Sequence, residues 1–248
     1  MCTLAGNRPM REGYEDAFAL SEEQHPWYSA RRALFTKLAG LNKNARILDV
    51  GCGTGMFLVH LKNQGFRDLA GVETSMRLRQ RFRDDSIPLY SVIPDETFDA
   101  VFLLDVLEHI ADDVEALTGI HSALRPGGKL ILSVPAHPFL WGPHDIVNEH
   151  KRRYRRHELR DKLTTTGFEI HRFSYWNMFV FPVACLVRWL HVSRSGDTGD
   201  TGLGFPAALK IYGWVLQFEN HLLNRFNLPA GMSLVATAHA RGDSVTPD

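Results

Sequence analysis

Between Asp49 and Gly55 the chain reads Asp-Val-Gly-Cys-Gly-Thr-Gly, directly behind the apolar run Ala45-Arg-Ile-Leu-Asp-Val50 and directly ahead of helically spaced apolar residues over 56–63. A short buried strand, a turn too rich in glycine to belong to either neighbour, and a helix that stops near Gly65 form the entry to an open parallel sheet. Glycine has no β-carbon and tolerates positive φ, so the backbone here can approach a ligand closely. The helix N-terminus just beyond it favours an anionic group.

The alternation of strand and helix continues to about Ala136. Leu69-Ala-Gly-Val-Glu-Thr74 reads as the next strand, and residues 76–83 as a basic helix whose charge run is a solvated face. Phe98-Asp-Ala-Val-Phe-Leu-Leu104 is a buried strand, and Asp112-Asp-Val-Glu115 is a capping box ahead of Leu117, Ile120 and Leu124. That helix is expected to stop at Arg125-Pro-Gly-Gly128, with Lys129-Leu-Ile-Leu-Ser-Val-Pro135 another buried strand. The pattern predicts an α/β fold with a doubly wound, mainly parallel sheet. Residues 167–173 and 233–239 read as its last two strands.

Between those strands lies an apolar, aromatic stretch, expected to be a helical insertion. Over 175–192 it is interrupted by Asn177, Pro182 and Arg188, so it lacks the roughly 20 apolar residues of a spanning helix. Residues 193–204, SRSGDTGDTGLG, read as a flexible loop, and residues 241–248 as a frayed tail. One domain is expected: a cap segment over 1–44, a core over 45–174, the insertion or lid over 175–230, and the last strand with its tail over 231–248.

Lys plus Arg is 28 and Asp plus Glu is 28, so the net charge gives no long-range attraction to polyanions and no nucleic-acid partner is expected. Cys2, Cys52 and Cys185 are odd in number and widely spaced, unlike a zinc or redox motif. With no signal-peptide apolar core near Met1, a reduced, cytoplasmic setting is the expectation.

Glu73 stands 24 positions after Asp49, at the end of the second strand, where a carboxylate can accept hydrogen bonds from two adjacent ribose hydroxyls. With the glycine turn it describes a nucleoside site at the carboxyl edge of the sheet. A dinucleotide fingerprint would place a third glycine at position 56, where this chain has Met56, which weakens a hydride-transfer reading.

The segment Ile47-Leu-Asp-Val-Gly-Cys-Gly-Thr-Gly55 resembles motif I of the class I S-adenosylmethionine-dependent methyltransferases. Phe98-Asp-Ala-Val101, Asp105-Val-Leu-Glu-His109 and Leu124-Arg-Pro-Gly-Gly128 resemble the later motifs, so the likeness runs from about Arg46 to Ala136. The resemblance implies a seven-stranded sheet with an antiparallel last strand, and S-adenosylmethionine as cofactor. It places Gly51, Gly53 and Gly55 along the methionine part, Asp49 nearby and Glu73 on the ribose. Asp105 falls where the family often has cofactor or substrate contacts, and reads equally as a helix-capping acid. Leu89-Tyr-Ser-Val-Ile-Pro94 lacks the family's acidic residue, which leaves the adenine contact unassigned. His25-Pro-Trp-Tyr-Ser-Ala-Arg-Arg32 resembles the helix that covers the cofactor, so Arg31 or Arg32 could meet the methionine carboxylate, with Trp27 and Tyr28 as core anchors or contacts.

Methyl transfer from a sulfonium is an in-line displacement that proximity alone can accelerate greatly. A carboxylate acceptor needs no base, whereas a phenol or ammonium must lose a proton. Trp141-Gly-Pro-His-Asp-Ile-Val-Asn-Glu-His150 follows the fifth strand at the ligand edge, which makes His144 and His150 the candidate bases and Trp141 and Asp145 candidate substrate contacts. A solvated loop is the plainer reading. No spacing here fixes a metal ligand set, so no metal is expected. The cluster His150-Lys-Arg-Arg-Tyr-Arg-Arg156 is either a solvated helix start or a clamp for an anionic substrate group, with Arg153 and Tyr154 as its candidates. The expected function is methyl transfer to an oxygen or nitrogen of a small-molecule acceptor, apolar or lipid-like if the aromatic insertion roofs its pocket. Two alternatives stand beside it: a non-catalytic S-adenosylmethionine-binding protein, and a peripheral membrane protein whose insertion docks on lipid.

Overall fold

A computed structural model describes residues 22–23, 25–191 and 206–242. The loop expected over 193–204 and most of the expected tail lie outside the described residues, as does nearly all of the first half of the cap segment. Seven strands form one sheet: β1 Arg46–Val50, β2 Asp68–Val72, β3 Leu89–Tyr90, β4 Phe98–Leu104, β5 Leu124–Pro135, β6 Phe168–Trp176 and β7 Ser233–Ala240. Their order is β3-β2-β1-β4-β5-β7-β6. Neighbours from β3 to β5 are parallel, and β7 runs antiparallel to both β5 and β6. This is the seven-stranded, mainly parallel sheet expected from the sequence.

Strand side chains alternate between two covered faces, as the two-residue period of a strand requires. Leu48, Val50, Val101, Leu103, Leu130 and Leu132 point to one core, shared with α4 (Asp113–Ser122) and α6 (Arg156–Thr165) through Leu117, Ile120, Leu159 and Leu163. Ile47, Ala100, Phe102 and Ile131 point to the other, which holds Leu34 and Phe35 of α1 (Pro26–Ala39), Leu58 and Leu61 of α2 (Met56–Asn63) and Leu216 and Leu223 of α8 (Pro206–Leu223). The remaining helices are α3 (Met76–Arg79), α5 (Pro143–Val147) and α7 (Phe181–His191).

Local chemistry sets the ends. α1 begins with Pro26 behind His25, whose ring nitrogen accepts from Trp27 N at 3.3 Å, and stops at Gly40 in the left-handed region. α4 carries the expected cap, Asp112 accepting from Glu115 N at 2.9 Å. α2 has the bounds the sequence predicts.

Three elements differ from expectation. α3 stops at Arg79 rather than Arg83, because the chain turns back so that Arg83 N donates to Thr54 O at 3.0 Å. The turn expected at Arg125–Gly128 lies instead inside a longer β5: Phe98 pairs with Leu124 and Ala100 with Lys129, leaving Asp99 alone opposite four residues in a bulge. Gly127 takes φ +75° there, and Arg125 Nη1 closes the bulge on Asp99 Oδ1 at 2.7 Å. β6 runs on to Trp176, which is fully buried, stacks on Trp27 at 5.5 Å and donates to Asn220 Oδ1 at 3.0 Å. Asn220 in turn donates to Ala30 O at 2.9 Å, so α8 is bolted to α1 as part of a covering layer. Among the described residues, no helix is long and apolar enough to cross a membrane.

Candidate active site

The glycine turn sits where β1, β2 and β4 end. Gly51 N and Cys52 N both donate to Val72 O, at 2.8 and 3.0 Å, which ties the turn to the end of β2. Two of its glycines are required by space as well as by backbone angle. Gly51 has φ +73°, and a Cβ there would stand 2.4 Å from Val106 Cγ2; Gly55 has φ +81°, and a Cβ there would stand 2.5 Å from the Phe82 ring. Glu73 is nearly buried, its Oε2 accepting from Gly53 N at 2.9 Å and its Oε1 from Ser75 N at 2.7 Å. Thr54 donates its hydroxyl proton to Glu22 Oε2 at 2.7 Å, which brings residues 22–23 over the turn.

Asp49 is buried beneath this turn. Burial pushes its carboxyl up to about 8, against the charge of Arg31, while Glu22 and Glu73 add to the rise. Arg31 comes in from α1: its Nε lies 3.1 Å from Asp105 Oδ2, its Nη2 donates to Leu104 O, and its guanidinium stands 5.3 Å from the centre of the Trp27 ring. Arg32 points elsewhere, to Glu22 O at 3.0 Å, so of the two candidate arginines Arg31 is the one beside Asp49 and Asp105. Asp105 directly follows β4 and His137 stands two residues beyond the Pro135 end of β5, with φ +55° and +61°. Non-glycine residues held in that region cost on the order of 1–3 kcal/mol, strain that tends to gather at ligand sites.

Beyond β4 a 3-10 turn, Leu107–His109, carries Glu108 inward. Glu108 is entirely buried, and neither carboxylate oxygen has a hydrogen-bond partner. Burial, with the charge of Asp105 added, pushes its carboxyl well above the ordinary range. His109 and His150 meet edge to face at 4.8 Å, and burial with the nearby His150 lowers His109 to about 4. His150 places Nδ1 2.9 Å from Asp145 Oδ1 and Nε2 4.0 Å from Glu108 Oε1. Asp145 also accepts from Arg153 Nε at 2.7 Å and Gly142 N at 2.8 Å. Burial would raise that carboxyl, but the bonds from His150 and Arg153 bring it down to about 2. His144 is exposed, its ring 6.2 Å from that of His150.

The basic cluster divides: Lys151 and Arg155 are exposed, whereas Arg152, Arg153 and Arg156 are held by partners within the protein. Arg152 Nη1 is 2.8 Å from Asp113 Oδ2, and Arg153 is held by Asp145 and by Ala136 O at 3.2 Å. Arg156 donates to Phe173 O at 2.7 Å. Tyr154 is fully buried, its hydroxyl donating to Asp113 Oδ2 at 2.9 Å. Asp145 likewise is buried, while Trp141 is 38 % exposed.

Glu108 and His109, read in the sequence only as part of the motif after β4, and His137 were given no role there. The first two carry a signal, a Glu-His pair in the otherwise apolar Val106-Leu-Glu-His-Ile110. His137 stacks on Tyr175 at 5.2 Å and Phe181 at 4.9 Å and lies 5.3 Å from Phe139, an aromatic wall beyond β5 with no sequence signature.

A family model described as a methyltransferase domain matches residues 21–172. A tRNA U34 carboxymethyltransferase of Campylobacter hominis is 33% identical over 99 residues, 35% of this chain and 35% of that protein. A ubiquinone biosynthesis O-methyltransferase of Xanthomonas oryzae pv. oryzae is 33% identical over 103 residues, 36% of this chain and 42% of that protein. The match thus spans well under half the length of these relatives. Among solved structures, a chain of the complex between the Haloferax volcanii Trm112 methyltransferase activator and a methyltransferase superposes with a TM-score of 0.62 at 16% identity, covering 94% of this chain and 100% of that one, a likeness of fold. The matched model covers more than half of the chain, including the glycine turn, Glu73 and the strand ends described above. The chain therefore belongs to the methyltransferase-domain family.

Proposed function

We propose that the cofactor lies along Gly51, Gly53 and Gly55 with its ribose on Glu73 and its methionine end between Asp49, Arg31 and Asp105, and that the methyl group passes to an oxygen or nitrogen of a small, largely apolar acceptor beyond the ends of β4 and β5. The observation that carries the acceptor class is the aromatic wall of His137, Phe139, Tyr175 and Phe181 beyond the β5 end. Such walls with a few fixed polar groups are the usual make-up of small-molecule sites.

The relative that modifies tRNA makes a polynucleotide acceptor the competing reading, and the exclusion of nucleic acid from net charge alone is too strong. Against it stands the fate of the basic cluster, whose Arg152 and Arg153 are spent on Asp113 and Asp145 rather than offered to phosphates. A second reading, membrane contact by α7 and α8, is favoured by exposed Trp189, Ile211, Trp214 and Phe218, at 73%, 59%, 75% and 58% exposure. Vesicle co-sedimentation of the parent and of Trp189→Ala/Trp214→Ala tests it.

The acceptor class is tested with labelled S-adenosylmethionine offered separately to apolar phenols, amines and carboxylic acids and to bulk tRNA. The proposal expects label in the small-molecule fraction. Label in tRNA alone would transfer the assignment to a polynucleotide.

A further inference from the structure

We propose that Glu108, His109 and His150 are the protein ligands of one divalent transition-metal ion, of the Zn2+, Mn2+ or Fe2+ kind. Each offers a ligand atom, and the three atoms lie within 4.8 Å of one another. The sequence conceals the set because His150 is 41 residues from His109.

Two independent features point to an ion. Glu108 is entirely buried and both of its oxygens lack a hydrogen-bond partner, an arrangement that is costly unless the carboxylate is paired or coordinates a cation. His150 is aimed by Asp145, which holds Nδ1 at 2.9 Å and leaves Nε2 turned toward Glu108. A carboxylate behind an imidazole is the recurrent outer shell of a metal-binding histidine, fixing its tautomer and orientation. Arg153 and Gly142 N fix that carboxylate in turn, so the loop read as a substrate contact acts as the support of a ligand.

The donor set chooses the ion. Two imidazoles and one carboxylate suit first-row transition ions, whereas Mg2+ and Ca2+ take oxygen ligands. Bonds of about 2.0–2.2 Å place ligand atoms about 3–4 Å apart, so side-chain shifts of about an ångström close the set. Three protein ligands leave a position for water or for an acceptor oxygen, whose proton the ion makes easier to lose. Only that last role rests on the methyl-transfer reading; the ion site does not.

The test is made without S-adenosylmethionine, so it is independent of that reading. Chelator-treated protein is titrated with Co2+, followed by calorimetry and visible absorption, and Zn2+ is added in competition. One Co2+ per chain is expected, displaced by Zn2+, with affinity reduced tenfold or more in the isosteric Glu108→Gln and in His109→Asn, and unchanged in His157→Ala, an exposed histidine outside the set. The thermal midpoint should rise with metal in the parent and not in the two ligand variants. Should Glu108→Gln fail to fold, His109→Asn carries the decision. Absence of saturable binding, or binding unchanged in the folded ligand variants, overturns the proposal.

Discussion

Gly51 leaves no room for a side chain against Val106: a Cβ would stand 2.4 Å from the valine Cγ2. The glycine turn and the segment after β4, more than 50 residues apart in sequence, are thereby locked together. Gly51→Ala should cost roughly 1–2 kcal/mol for a side chain in the left-handed region, and roughly 1–3 kcal/mol more for overpacking. S-adenosylmethionine affinity should fall at least about tenfold. Adding Val106→Ala should recover only the packing part, read by thermal unfolding and calorimetric titration of both variants. Equal stability of Gly51→Ala and the parent would contradict the interlock.

Asp113, at the start of α4, gathers Arg152, Tyr154 and Lys162. Burial would raise its carboxyl, but bonds from Lys162 and Tyr154 and the charge of Arg152 hold it below the ordinary range. A depressed folded-state pKa gives stability that is full above the unfolded value of about 4 and is lost as pH falls through the folded value. Urea midpoints should therefore drop steeply below about pH 4 in the parent. Asp113→Asn should be less stable at pH 7 by about 1–3 kcal/mol and lose less on acidification. Parallel acid profiles for the two proteins would remove Asp113 from the account.

The two candidate bases differ in setting. His150 is held by Asp145 with its other nitrogen facing inward, whereas His144 is exposed. With a phenol or amine acceptor, His150→Ala should slow turnover by roughly 10²–10⁴-fold at nearly unchanged cofactor affinity, because losing this ligand removes the ion that eases the acceptor's proton loss. His144→Ala should cost at most about tenfold, through positioning. Steady-state kinetics on both variants decide between them; a larger loss in His144→Ala would reverse the assignment.

What the sequence made legible follows from locality. The glycine turn, α2, the Asp112 cap and the strand periods depend on residues within a few positions of one another, and each stands as read. The bulge in β5 was hidden because Pro126, Gly127 and Gly128 signal a turn equally well when the strand resumes beyond them. The fate of Arg152, Arg153 and Tyr154 was hidden for a different reason: their partners Asp113 and Asp145 are set by how α4 and α5 pack. A cationic run in sequence does not show whether its charges are already neutralised from within. Glu108 illustrates the same limit, since its burial comes from a 3-10 turn folding under the strand ends.

The central claim, a cofactor site built on the glycine turn and Glu73, is tested most directly by calorimetric titration of the parent and of folded Glu73→Ala with S-adenosylmethionine and with NAD. Glu73 accepts hydrogen bonds from Gly53 N and Ser75 N, so its removal loosens the turn as well as deleting the proposed ribose contact. The parent should bind S-adenosylmethionine and not NAD, and Glu73→Ala should bind it more weakly by about 1–3 kcal/mol. NAD binding with none of S-adenosylmethionine, or a folded Glu73→Ala that binds as tightly as the parent, would contradict the account.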